Sequence, residues 1–87
     1  MPLRFLQGQQ GPGKWPKAYG FEIYGKGPTY VVSVEGHTVA SQAGLKPGDQ
    51  ILEIENQDVT TLPASAVKAL ARQCKNQPPA LEVSWII

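Results

Sequence analysis

The sequence predicts an α+β fold that is mainly β: a small, partly open antiparallel β-barrel or sandwich of five to six strands with one short and one long helix. Three observations carry this. Aromatic and β-branched residues alternate or cluster at 19–24, 29–34, 50–55 and 81–85, the signature of half-buried strands. Gly, Pro and Asn break the chain between these runs. Only between Leu62 and Cys74 does the spacing change, with Val67, Leu70 and Cys74 at i, i+3 and i+7 as on one face of a helix.

The elements follow in order. Leu3 to Leu6 is a short apolar run that reads as a first strand, and Gln7 to Lys17, dominated by Gly, Pro and Gln, reads as loop. From Tyr19 the chain alternates, with Phe21 and Ile23 on one face and Glu22 and Tyr24 on the other. Gly25-Lys26-Gly27-Pro28 turns it into the run Thr29 to Val34, so the two strands pair as a hairpin. Ser41 to Leu45 is one helical turn, stopped by Gly44 and the stretch Lys46-Pro47-Gly48-Asp49. Gln50 to Glu55 is a strand, Asn56-Gln57 a turn, and Val59 the start of another short strand. The long helix follows, with Thr61 as cap and Pro63 near its first turn. Asn76-Gln77-Pro78-Pro79 ends it, and Leu81, Val83 and Trp85 alternate along a final strand.

Composition limits what such a fold can do. Eighty-seven residues predict one domain, 1–87, with a modest core and little room for a deep catalytic cleft, so a binding module is favoured over an enzyme. Eight basic and seven acidic side chains give a net charge of +1. That balance points to a peptide or protein partner rather than to nucleic acid or an acidic membrane. Cys74 is the one cysteine, which excludes an internal disulfide and suits a reducing, cytoplasmic setting. No signal-peptide pattern is seen, and no apolar segment approaches the roughly 20 residues of a membrane span.

The candidate chemical motifs are few. Gly8 to Lys14 spells G-x-x-x-x-G-K, nearly a phosphate-binding loop. Such a loop needs Ser or Thr after its lysine to hold magnesium and a helix starting there. Trp15-Pro16 and a strand follow instead, so the match reads as a Gly/Pro loop. His37 sits alone in a polar loop, Cys74 lies on the helix stripe as a core residue, and Asp49, Glu53, Glu55 and Asp58 lack calcium-loop spacing. No catalytic residue, metal ligand or cofactor site is predicted.

Tyr19-Gly20-Phe21 resembles the Φ-Gly-Φ carboxylate loop of PDZ domains, usually Gly-Leu-Gly-Phe. Ser41 to Ile54 resembles the family's Ala-Gly-Leu-x-x-Gly-Asp-x-Ile-Leu-x-Val segment, and Asp58-Val59 stands where its Asp/Glu-Val stands. The likeness runs from Leu3 to Trp85 with three motifs in order. Within the family, Trp15-Pro16 and Gly27-Pro28-x-Tyr30-Val31 look most like one of the delphilin PDZ modules.

The resemblance implies a scaffolding module that binds C-terminal peptide tails of membrane receptors, channels or adaptor proteins. It implies a cytoplasmic location, peripheral to the plasma membrane through those partners. The amides of Tyr19, Gly20 and Phe21 would cradle the terminal carboxylate, since converging N–H groups suit an anion. Lys14, six residues before the glycine as is common in the family, would assist through a water. The ligand would add as a strand along Phe21 to Tyr24, with Glu22, Ile23 and Tyr24 in the groove.

Two registers of the helix then remain. Val67, Leu70 and Cys74 in the core would turn Ala64, Lys68 and Ala71 to the groove, the arrangement that core packing favours. A one-residue shift would place Pro63, Val67 and Leu70 there. Either way the first helix position, where many PDZ domains hold a His for a Ser or Thr hydroxyl, is Ala or Pro. A hydrophobic residue is expected at the last and third-from-last ligand positions, with Ala71 leaving space for a large terminal side chain. The chain itself finishes Trp85-Ile86-Ile87, a ligand of that class for a neighbouring copy, against the plainer reading in which Trp85 packs and the isoleucines fray. The alternatives are an accessory module of a protease, and the same edge binding an internal β-hairpin or a lipid headgroup.

Overall fold

The computed structural model describes residues 2–3 and 13–85. Six strands form one open sheet: β1 (Pro2–Leu3), β2 (Phe21–Tyr24), β3 (Tyr30–Val34), β4 (Asp49–Ile54), β5 (Gln57–Asp58) and β6 (Leu81–Trp85). A short helix α1 (Val39–Gln42) and a long one α2 (Ala64–Gln73) complete the predicted architecture, with a 3-10 turn at Lys17–Tyr19. The strand order is β1-β6-β4-β3-β2, with β5 paired to β4, and every pairing is antiparallel. β2 therefore stands at the end of the sheet. Most of the first predicted strand, residues 4–6, and most of the near phosphate loop, residues 8–12, lie outside the described residues.

Local chemistry explains the boundaries. Between α1 and β4 the Lys46 amide donates to Asp49 Oδ2 (3.1 Å) while the Asp49 amide donates to the Lys46 carbonyl (3.1 Å). This reciprocal clasp buries the carboxylate, at 6 % exposure, and leaves Gly48 to take the positive φ of 98°. Glu55 and Asn56 both adopt positive φ, which makes the two-residue turn between β4 and β5. That turn comes one residue earlier than expected, so β5 ends at Asp58 instead of starting at Val59. Thr38 caps α1: its Oγ1 accepts from the Ser41 amide (3.2 Å) and donates to the Glu35 carbonyl (2.7 Å).

The core gathers Phe21, Ile23, Val31, Ile51, Ile54, Leu81 and Val83 from the sheet with Val67 and Ala71 from α2. Three expectations are corrected. Trp15, read as part of a Gly/Pro loop with no core role, is 2 % exposed and meets Phe21 edge-on at a ring distance of 5.3 Å. On α2 the fully buried stripe is Val67 and Ala71, at i and i+4, while Leu70 and Cys74 are half-buried at its flank. The helix begins at Ala64 with Pro63 at the capping position and no side-chain cap, so Thr61 does not cap it.

Candidate functional site

α2 is held alongside β2 at both ends. At its start the Ala64 amide donates to the Gly25 carbonyl (2.9 Å), just past the end of β2. At its finish Arg72 Nε donates to the Trp15 carbonyl (3.0 Å), in the segment leading into β2. The two elements thus run antiparallel, and a groove of about 610 Å³ lies along them. The Arg72 bond is consistent with the rotation of the helix, in which Ala71 faces inward and Lys68 faces the groove.

Lys14, Glu22, Ile23, Tyr24 and Lys68, all predicted site residues, line this groove. Ile23 is buried at its floor while Glu22 and Tyr24 are exposed. A second hollow of about 220 Å³ holds Gly20 and Phe21 at the start of the strand and shares Lys17 and Glu22 with the first. Tyr19, Ala64 and Ala71 line neither hollow: Tyr19 and Ala71 are core residues, and Ala64 packs against the core. Of the alternative register, Val67 is fully buried and neither Pro63 nor Leu70 lines the groove.

The loop before β2 is wound into its 3-10 turn. The Tyr19 amide donates to the Pro16 carbonyl and the Gly20 amide to the Lys17 carbonyl, both at 3.0 Å. The Tyr19 and Gly20 amides, both expected to cradle a carboxylate, are therefore engaged within the protein. Gly20 ends the turn in the left-handed region, φ 92° and ψ 23°, and its carbonyl accepts from the Glu35 amide (2.8 Å).

Sequence reasoning missed Lys17, Arg72, Pro16 and Val32 on the groove walls. The signal for Arg72 was present, since it lies one helical turn from Lys68. The signal for Val32 was its place on β3, where it is half exposed beside the edge strand.

Among the described residues no cluster of His, Cys, Asp and Glu could hold a metal ion. No described helix is long and apolar enough to cross a membrane. His37 is exposed at φ 62°. Burial, with the nearby Glu55 charge, pushes the Cys74 thiol above its ordinary pKa. Because the thiolate is the reactive form, alkylation of Cys74 near neutral pH should run several-fold slower than that of a free cysteine peptide. A rate equal to the peptide's would contradict the burial. The Ile86-Ile87 part of the candidate self-ligand lies outside the described residues.

Comparison with known proteins agrees with the geometry. A family model described as "PDZ domain" matches residues 30–83, a span that starts after β2 and its loop. Among solved structures the chain is similar to one titled "PDZ domain from choanoflagellate GIPC (mbGIPC) bound to GAIP peptide". That likeness has a TM-score of 0.70 at 16% identity and covers 95% of this chain and 85% of the other. Neither match supports the narrower likeness to delphilin modules.

Proposed function

We propose, since this chain belongs to the PDZ domain family, that it is a scaffolding module which takes the C-terminal tail of another protein as an added strand along β2. The observation that carries this is the position of β2 at the end of the sheet with α2 fixed beside it. A sheet's terminal strand offers backbone pairing to any extended peptide, and alternate ligand side chains then point to the groove.

The remaining roles follow from the same placement. Ile23 at the groove floor suits an apolar last residue. Ala64 at the first position of α2 offers no acceptor for a Ser or Thr hydroxyl, which leaves a hydrophobic third-from-last residue preferred. Lys14 on the wall attracts the terminal carboxylate. For the Tyr19 and Gly20 amides to receive it, they exchange the Pro16 and Lys17 carbonyls for the ligand, and charge-assisted bonds replace neutral ones. Tails of receptors, channels or adaptors at the cytoplasmic face of the plasma membrane fit this role.

An NMR titration with one hydrophobic-tailed peptide, as free acid and as C-terminal amide, tests the reading. The acid should shift the Gly20 and Phe21 amides, and amidation should weaken binding by about tenfold or more, since bonds to a charged acceptor are the strong ones. Equal binding of the two forms would instead favour an internal β-hairpin as the ligand.

A further inference from the structure

The groove is far more positive than the chain. Four cations, Lys14, Lys17, Lys68 and Arg72, line it against the single carboxylate of Glu22, whereas the chain as a whole carries +1. Among the described residues none of the four makes an ion pair, and Arg72 spends one donor on the neutral Trp15 carbonyl. Lys68 and Arg72 sit at i and i+4 on α2, a spacing at which like charges repel, and the helix Ala64–Gln73 has no acidic residue to offset them. A concentration of unpaired like charge in a concave site is relieved by an anionic occupant.

We infer that the groove selects tails carrying acidic side chains before their last residue. The inference rests on the tail-binding reading above. If Lys14 answers the terminal carboxylate, Lys17, Lys68 and Arg72 against Glu22 leave an excess of two positive charges, which calls for about two further acidic groups on the ligand. Lysine and arginine stems can lie along the groove walls while their charged heads stay in water, on the side of the added strand where the ligand side chains that do not enter the groove are exposed. The occupant is a peptide and not a lipid surface, because these cations line the walls of a groove along a sheet-edge strand, where an extended chain fits.

Two free-acid octapeptides, identical and hydrophobic at the last and third-from-last positions, test this by fluorescence polarisation on the full chain. One carries Glu at the second- and fourth-from-last positions and the other Gln. The Glu peptide should bind about tenfold tighter at low salt, as two partly exposed ion pairs allow. That advantage should shrink to under about twofold at about 0.5 M salt, where the Debye length is only a few ångströms. The charge reversal Lys17→Glu with Lys68→Glu should invert the order, and Lys17→Gln with Lys68→Gln should cut the advantage by at least about half if the reversed protein fails to fold.

Equal, salt-independent binding of the two acids would overturn the charge selection while leaving tail recognition standing. Failure of both to bind, in a protein whose NMR spectrum shows it folded, would overturn tail recognition itself. Vesicles containing phosphatidylserine that capture the protein, with the Glu peptide unable to compete, would overturn the inference in favour of a membrane.

Discussion

Gly20→Ala is expected to lower stability by about 2–3 kcal/mol and to abolish tail binding. Gly20 closes the 3-10 turn at φ 92°, a left-handed conformation that costs an L-residue about 1–2 kcal/mol. An added Cβ would also overlap the Thr38 side chain at Cβ, Oγ1 and Cγ2. That threonine is no passive neighbour, because its hydroxyl caps α1 and ties back to the Glu35 carbonyl. Pushing it aside forfeits a cap worth about 1 kcal/mol. In a domain of this size the sum should lower Tm by about 10–20 °C. Adding Thr38→Gly to Gly20→Ala should relieve the overlap but not the backbone strain or the lost cap, so the double variant should be less destabilised than the two single changes added together. A Gly20→Ala protein melting within a few degrees of the parent would mean that the loop does not close this way.

That glycine was legible in the sequence because its requirement is local. The same holds for the stop at Lys46 to Asp49 and, to within one residue, for the turn at Asn56, where residue type and backbone conformation are tied within a few positions. It holds also for the strands, whose alternation at Phe21–Tyr24 survives as alternating burial. Trp15 was not legible: Gly, Pro and Lys surround it, its ring packs on Phe21, and its carbonyl is held by Arg72, 57 positions away. The helix rotation failed for a related reason. Val67, Leu70 and Cys74 carry the apolar signal, but Ala71 is apolar enough to be buried and too small to register in the pattern. The long-range bond from Arg72 joins the loop to the face that stays outward. Arg72, one helical turn from Lys68, lines the same groove and makes it more basic than composition foretold.

Trp15→Ala is expected to have the largest effect of any loop substitution, a loss of about 3–5 kcal/mol. A domain of this size has about 5–10 kcal/mol in all, so the variant should be marginal or unfolded at ambient temperature. Two contributions set the figure. The indole leaves a cavity against Phe21, and the edge-on ring contact itself is worth about 0.5–1.5 kcal/mol. Working against these, Trp15 Nε1 is buried without a hydrogen-bond partner among the described residues. An orphaned donor costs about 1–3 kcal/mol. Trp15→Phe separates the two: it keeps an aromatic edge for Phe21 and removes the orphaned donor, while giving up part of the ring volume. Its net change should fall within about 1 kcal/mol of the parent, because the relief and the smaller cavity nearly cancel. Urea denaturation of the three proteins reads both numbers directly. If Trp15→Ala lost less than about 1 kcal/mol, the segment before β2 would not be part of the core. The groove wall that Arg72 anchors to it would then lack its support.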